Sequence, residues 1–153
     1  LDPAGIANAP HGDLGRALLA GKPNPLIITK ESDFPAMMQF AMSDPPYLPT
    51  PVMNVLARQR IANQTLERSV FKQIAQDSVS NEVRGLATPT LIVWGAEDRV
   101  LSAGAAPLLR SLLPRSEAII MPHIGHAPMI EQPRQSADDY LRFRARIDAK
   151  SPR

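Results

Sequence analysis

The chain of 153 residues is 44% hydrophobic and 21% charged, with a formal net charge of +2, which is typical of a folded domain and excludes a disordered tail. Aromatic residues make up only 5% and no dense basic stripe is present, so no nucleic-acid partner is expected. The absence of cysteine excludes disulfides, thiolate metal sites and a cysteine nucleophile. No apolar run approaches the roughly 18 residues of a membrane span, and the sequence leaves the cellular location open.

Residues up to about 84 predict helices and loops punctuated by prolines, without a strand pattern of any length. The chain opens on Leu-Asp-Pro-Ala-Gly rather than Met, so we interpret residues 1–4 as the end of a strand and expect the true N-terminus upstream. Helices are expected to follow four capping residues, Asp13, Ser32, Thr50 and Thr65. The last of these helices places four residues on one apolar face, Leu66, Val70, Phe71 and Ile74.

Methionine and phenylalanine are concentrated in the same region, at positions 34, 37, 38, 40, 42 and 53. Because a methionine side chain is flexible and apolar, such a group could line a site for the acyl part of a substrate. Ordinary packing between these helices and the rest of the protein explains the same residues equally well.

From residue 88 onward the pattern changes to alternating strands and helices. The apolar runs Thr90–Trp94 and Ala118–Met121 predict two strands that are buried on both faces. Ser102 is expected to cap a helix between them, and Pro133 to begin a final helix. This strand, helix, strand, helix order indicates an α/β fold with a parallel sheet flanked by helices.

Two residues with catalytic potential follow the two predicted strands. Asp98 lies in the loop after the first strand and His126 in the loop after the second. Adjacent parallel strands bring such loops side by side at the carboxyl edge of the sheet, where α/β proteins place their active sites. An aspartate beside a histidine can accept the Nδ1–H of the imidazole and leave Nε2 free as a general base.

Each residue alone has an ordinary structural explanation. A loop aspartate after a strand is often only a turn residue, and a single histidine more often lies on the surface or in packed core. The pair is more informative, because Gly95-x-x-Asp98 and Gly125-His126-x-Pro128-x-x-Glu131-x-Pro133 each follow a buried strand. The combination therefore favours a catalytic site.

The stretches Thr88–Asp98 and Gly125–Pro133 resemble the last two core strands of the α/β-hydrolase superfamily, in particular bacterial lipases and esterases of the monoacylglycerol-lipase and meta-cleavage-product-hydrolase type. The resemblance implies the C-terminal portion of the fold: a strand end at residues 1–4, a helical cap at 5–84 and core at 85–153. It also implies that Asp98 is the acid and His126 the base of a catalytic triad, without a metal or an organic cofactor.

In this superfamily the nucleophile is a serine in a Gly-x-Ser-x-Gly elbow, upstream of the acid and the base. No serine of this chain has glycine at both flanking positions. The resemblance therefore implies a hydrolase of carboxylic esters or lipids whose serine is supplied by an N-terminal half, either as a second chain or as a missing segment. By itself the chain is expected to be inactive.

Several alternatives stay open at this point. Asp2 is a rival to Asp98, since some α/β hydrolases take their acid from the strand where the cap begins. The protein could be a carbon–carbon bond hydrolase, an epoxide hydrolase, a dehalogenase or a non-catalytic binding protein of the same fold. We interpret His123 as structural, His11 as polar surface, and Glu131 and Pro133 as residues that shape the turn into the last helix.

Overall fold

The computed structural model describes residues 2–150, so Leu1 and residues 151–153, which belong to the predicted first and last segments, lie outside the described residues. The helices before the first strand are α1 (Asp13–Leu19), a 3-10 helix (Glu31–Asp33), α2 (Phe34–Ala41), α3 (Thr50–Ala62), α4 (Gln64–Gln76) and α5 (Ser80–Val83). After them come β1 (Thr90–Gly95), α6 (Ala105–Leu112), β2 (Ser116–Met121), α7 (Pro128–Glu131) and α8 (Pro133–Lys150). The predicted α/β fold is confirmed, while the segment boundaries at residues 4 and 84 remain predictions.

The two strands run parallel, in a register that pairs Thr90 with Ser116 and Gly95 with Met121. Because parallel strands end at the same edge of a sheet, the loops that follow β1 and β2 begin side by side. On the other side of β1, the backbone N–H of Asp2 donates to the carbonyl of Val93 over 3.1 Å. Asp2 and the two loops therefore share one edge of the sheet.

Two hydrophobic clusters connect the helices with the sheet. In the first, α6 packs against β1, and its buried members are Ile6, Ile92, Trp94, Ala105, Ala106, Leu109 and Leu113. In the second, residues of the predicted cap surround Val100 in the loop after β1, and the buried members are Leu14, Leu26, Ile28, Phe34, Met37, Ala57 and Val100. The loop after β1 is thus anchored from both the sheet side and the cap side.

The expectation of two buried strands is correct for β1 and wrong in part for β2. Ile92, Val93 and Trp94 are buried, but Ile120 of β2 is 44% exposed. The side chains of Trp94 and Ile120 are register partners on the face that α6 covers, and α6, with eight residues, leaves Ile120 uncovered.

The expected helix caps are also wrong in detail. α1, α3 and α4 begin after Gly12, Pro49 and Asn63, and none of these helices has a side-chain hydrogen bond at its cap. Ser32 lies within the 3-10 helix rather than before α2, since α2 begins only after this extra turn, at Phe34. Each helix still forms where its pattern predicted, within a few residues.

The apolar face predicted for α4 is mostly uncovered. Phe71 packs against the second cluster, whereas Leu66, Val70 and Ile74 are exposed. Among residues 2–150, these three are 41–63% exposed. No helix in this part of the chain is both long enough and apolar enough to cross a membrane.

Candidate active site

Asp98 is held in a turn directly after β1, and its side chain is fully buried. Its Oδ1 accepts hydrogen bonds from the backbone N–H groups of Val100 and Leu101, at 2.8 and 2.9 Å. Its Oδ2 accepts a third from the indole Nε1–H of Trp94, at 3.1 Å. Asp98 therefore acts as an ordinary turn residue through Oδ1, which accepts the backbone N–H groups. Its Oδ2 can accept another donor besides the indole N–H.

His126 supplies that donor. Its Nδ1 lies 3.0 Å from Oδ2 of Asp98, so the predicted hydrogen bond between the two residues is present. The imidazole is one-third exposed, and its Nε2 has no hydrogen-bond partner among residues 2–150. With a proton on Nδ1 directed to Asp98, the lone pair of Nε2 is available to accept a proton from a substrate or a nucleophile.

Glycine is required at the two positions that precede these residues in the motifs. A Cβ atom at Gly95 would lie 2.0 Å from the carbonyl oxygen of Gly125 and 2.3 Å from that of Ile124. A Cβ atom at Gly125 would lie 2.7 Å from the backbone nitrogen of Ser43 and 2.8 Å from the carbonyl oxygen of Ala41. The glycines of the two motifs thus permit backbone contact between the two loops and the end of α2.

A second carboxylate approaches the same ring nitrogen. Oδ2 of Asp2 lies 2.7 Å from Nδ1 of His126, nearer than the oxygen of Asp98, and the Asp2 side chain is only 6% exposed. Asp2 lies off the direction of the Nδ1–H bond, however, and its Oδ2 has no hydrogen-bond partner among the described residues. As the partner of Nδ1 of His126, Asp2 is favoured by its shorter distance, whereas Asp98 is favoured by hydrogen-bond geometry.

The surroundings of Asp2 and His126 shift the pKa of both side chains. Burial works against a charge on His126, but the close carboxylates of Asp2 and Asp98 outweigh it and raise the pKa of His126 to about 10. Burial raises the pKa of Asp2, the nearby Asp98 adds to the increase, and His126 offsets part of it. The protonation of Asp2 and that of His126 therefore depend on each other, and a proton on Asp2 removes one of the two negative charges that favour the imidazolium.

The same three side chains form a cluster that could bring one ligand atom each to a metal ion, all within 4.8 Å of one another. Both oxygens of Asp98 already accept hydrogen bonds, including the one from Trp94. A cation would have to compete with these donors and with the proton on Nδ1. The donor pattern is therefore that of an acid–base pair rather than a metal site.

His126 also lines a cavity of about 400 Å³ between the loop after β2 and the helices α2, α3 and α4. Its walls are mainly apolar and include Phe34, Met37, Met38, Met42, Leu56 and Phe71. Four of the six methionines and phenylalanines singled out in the sequence lie in this wall, at positions 34, 37, 38 and 42. The two polar residues among the lining of α3 are Gln59 and Arg60, and Arg60 pairs with Glu67 at 3.0 Å.

The other histidines lie away from this cluster. His123 is exposed, has a φ of 61°, and faces Glu97 with its Nδ1 3.1 Å from Oε1. His11 is exposed, as predicted. Sequence reasoning missed the hydrogen bond from Trp94 to Asp98, although a buried indole N–H needs an acceptor and Asp98 follows four residues later. It also missed the extent of the contacts of Glu131, which come from a distant part of the chain.

Comparison with known proteins identifies the family. A family model described as alpha/beta hydrolase fold matches residues 4–133. Lipase 1 of Psychrobacter immobilis is 37% identical over 130 residues, which are 83% of this chain and 41% of that protein. Lipase 3 of Moraxella sp. (strain TA144) is 38% identical over 124 residues, 79% of this chain and 39% of that protein.

A solved structure described as a membrane phospholipase A and a bacterial virulence factor superposes with a TM-score of 0.89 at 32% identity, over 96% of this chain and 48% of that chain. The chain thus spans about two fifths to one half of the length of these relatives. The chain belongs to the α/β hydrolase family and is similar to bacterial lipases.

Proposed function

We propose that this chain carries the acid and the base of a serine hydrolase of carboxylic esters. The observation that carries the proposal is the hydrogen bond between Nδ1 of His126 and Asp98, with the unpaired Nε2 beside an apolar cavity. Because no serine of the chain lies in a Gly-x-Ser-x-Gly elbow, the nucleophile comes from an N-terminal part of the protein, as an upstream segment or a second chain.

The mechanism follows from the two nitrogens of His126. Nε2 takes the proton of the serine hydroxyl as its oxygen attacks the ester carbonyl, and then gives that proton to the departing alcohol, which leaves an acyl-enzyme. In the second half, Nε2 takes a proton from water, the resulting hydroxide attacks the acyl carbon, and the serine oxygen regains the proton. Asp98 keeps the Nδ1–H oriented and stabilises the imidazolium that forms in each half.

We assign the acid to Asp98 because its carboxylate is already fixed for that role. The turn holds Oδ1 through two backbone N–H groups, and Trp94 holds Oδ2. Among residues 2–150, Asp2 has no comparable set of donors, and burial raises its pKa.

The cavity supports an ester whose acyl part is apolar. Leu56, Phe71 and the side chains of α2 form the wall, and His126 lies at the same cavity. Burying each methylene of an acyl chain in such a wall contributes about 0.8 kcal/mol. Two relatives are named lipases and a third a membrane phospholipase A, so we propose a small ester or a lipid as substrate.

An uncovered apolar groove beside the sheet supports the proposal that another part of the protein packs there. The groove, of about 480 Å³, lies between β1 and α8 and is lined by apolar side chains that include Leu91, Val93 and Phe143. Met129 and Tyr140 of the same groove are largely exposed. In an α/β fold, an apolar surface beside a strand is normally covered by further strands and helices. We propose that the N-terminal part covers it here.

The first test compares residues 1–153 alone with a polypeptide that also contains the N-terminal part. Alone, the chain should aggregate or lack fixed tertiary structure in size exclusion and near-UV circular dichroism, and should not hydrolyse p-nitrophenyl esters. The longer polypeptide should hydrolyse them and be labelled by a fluorophosphonate at a serine outside residues 1–153.

Three results would contradict the proposal. A cooperatively folded monomer of residues 1–153 would show that the groove needs no partner. A labelled carboxylate nucleophile would indicate an epoxide hydrolase or a dehalogenase. A folded longer polypeptide without any turnover or labelling would indicate a binding protein of this fold.

A further inference from the structure

Glu131, at the end of α7, has a buried carboxylate that joins two distant parts of the chain. Its Oε2 accepts the backbone N–H groups of Ser43 and Asp44, at 2.8 and 3.0 Å. Both of its oxygens accept the N–H of Gly125 at 3.0 Å, and Oε1 accepts that of Ala127 at 3.2 Å. A single carboxylate therefore holds four backbone donors, two beyond the end of α2 and two in the loop after β2.

The donors in the loop after β2 flank the proposed base. Gly125 and Ala127 are the immediate neighbours of His126, and the N–H of His126 itself donates to the carbonyl of Ala41 over 2.8 Å. Three consecutive backbone N–H groups are thus fixed, the outer two by Glu131 and the middle one by the last residue of α2. The position of the imidazole depends on this backbone, because Nδ1 must stay within reach of Asp98.

The donors beyond α2 directly follow the wall of the cavity along the chain. Ala41 and Met42 line the cavity that contains His126, and the two residues that follow them are Ser43 and Asp44. The contact is close, since a Cβ atom at Gly125 would lie only 2.7 to 2.8 Å from backbone atoms of residues 41–43. Movement of the wall relative to the base would therefore break the hydrogen bonds of Glu131.

A carboxylate is the side chain that suits this place. It is acceptor-only when ionised, so all four N–H groups find a lone pair, and hydrogen bonds to a charged acceptor are stronger than neutral ones. Glutamine has nearly the same shape, but its NH₂ group would face some of these donors. A substitution to glutamine thus keeps the side-chain volume but replaces one acceptor oxygen with a donor, so the four N–H groups no longer all find an acceptor.

We propose that Glu131 is a positioning residue that fixes the loop of His126 to the segment 41–44, so that the base and the wall of the substrate cavity keep one relative placement. The inference rests on the proposed function for its catalytic consequence, but its geometric part concerns only hydrogen bonds within this chain. A merely structural glutamate would contribute to stability without affecting the chemical step.

The experiment compares Glu131→Gln and Glu131→Asp with the unchanged protein, in the polypeptide that contains both this chain and the N-terminal part. Glu82→Gln, on the exposed side of α5, is the matched control. We expect Glu131→Gln to lower kcat on a p-nitrophenyl ester by about 10- to 100-fold, with KM within about twofold, because a displaced base lowers the rate by this order. Glu131→Asp keeps the charge but has a shorter side chain, so its kcat should lie between those of the unchanged protein and Glu131→Gln.

Hydrogen exchange measured by mass spectrometry gives a readout that needs no activity. Peptides covering residues 41–44 and 124–127 should both exchange faster in Glu131→Gln than in Glu82→Gln, whereas peptides of α6 should not change. Unchanged exchange in either segment would overturn the inference. So would a lower Tm with unchanged kcat per titrated active site, because that result describes a structural role only.

The two proposals fail in different ways. A well-folded protein that hydrolyses no ester would refute the proposed function, and the exchange of the two segments would then decide the role of Glu131 alone. An active enzyme in which Glu131→Gln leaves kcat and exchange unchanged would refute the role of Glu131 and leave the proposed function intact.

Discussion

Asp98 and Asp2 approach the same nitrogen of His126 from two different surroundings. Asp98 lies in a turn that gives its oxygens three donors besides the imidazole, while Asp2 lies beside β1 with one oxygen that has no hydrogen-bond partner among residues 2–150. Their distances to Nδ1 differ by only 0.3 Å, and the shorter one belongs to Asp2 (2.7 against 3.0 Å). Distance alone therefore does not identify the acid of a triad, whereas the donors that fix a carboxylate distinguish the two.

The largest effect should come from the proposed acid and base themselves. In the polypeptide that also contains the N-terminal part, Asp98→Asn should lower kcat by about 10⁴-fold and His126→Ala by at least as much, with little change in KM. The reason is that both remove transition-state stabilisation and leave the cavity unchanged. Steady-state kinetics on a p-nitrophenyl ester measure this.

The matched comparison is Asp2→Asn. Because no donor among residues 2–150 holds Oδ2 of Asp2, an amide of the same shape should lower kcat by less than about tenfold. An Asp2→Asn loss as large as that of Asp98→Asn would instead transfer the acid role to Asp2. Near-normal turnover by His126→Ala would contradict the triad altogether.

The second effect concerns pH. The negative charges of Asp2 and Asp98 raise the pKa of His126 to about 10, and a base must be neutral to act, so activity is lost as the pH falls through this pKa. Asp2→Asn removes one of the charges and should lower the pKa of His126. The acidic limb of the kcat/KM profile should therefore move to lower pH by about one unit or more, so that the variant keeps more of its activity in acid than the unchanged enzyme.

The profiles of the unchanged enzyme and of Asp2→Asn, measured between pH 5 and 10, check this sign. Glu97→Gln is a suitable control, because Glu97 contacts His123 rather than His126. A shift of the acidic limb to higher pH, or none at all, would mean that Asp2 carries no charge near the imidazole over this range.

The smallest effect should come from Trp94→Phe. This change removes the indole N–H that donates to Oδ2 of Asp98 and to the carbonyl of Leu101, each at 3.1 Å, and keeps an aromatic ring in the core. We expect a loss of roughly 1–3 kcal/mol in the free energy of unfolding, since buried acceptors lose their donor. The decrease in kcat should be a few-fold, because the two backbone donors to Oδ1 still hold Asp98.

Urea unfolding followed by circular dichroism, together with the same kinetic assay, measures both quantities. Equal kcat for the unchanged enzyme and for Trp94→Phe would show that the indole contributes to stability without orienting the acid. A loss of kcat near that of Asp98→Asn would show that the turn alone does not fix the carboxylate.

The pairing of Asp98 with His126 could be predicted from the sequence because it depends on local patterns. Two buried runs separated by one helix predict adjacent parallel strands, and the residues after both strands must then lie at one edge of the sheet. Gly95 belongs to the same local signal, because contact with the loop after β2 leaves no room for a Cβ atom, whereas Gly125 is required by its contact with the distant residues 41–43.

The features that the sequence did not predict depend on contacts between distant residues. The donors from Ser43 and Asp44 to Glu131 lie 88 and 87 residues away along the chain, and no periodicity reports such a contact. The exposure of Ile120 and of the apolar face of α4 likewise depends on what covers them rather than on their own side chains. Asp2 was recognised as a rival by position, but only the structure gives its distance to Nδ1.

The close contact between Gly125 and residues 41–43 has a consequence for exchanging caps among related hydrolases in order to change their specificity. A graft that replaces the whole of the predicted cap, residues 5–84, would also remove the carbonyl of Ala41 and the amides of Ser43 and Asp44. A chimera could instead keep residues 41–44 of this chain and take the sequence on either side of them from the related hydrolase. The hydrogen bonds that hold the loop of His126 would then be preserved, while the cavity wall would come from the other protein.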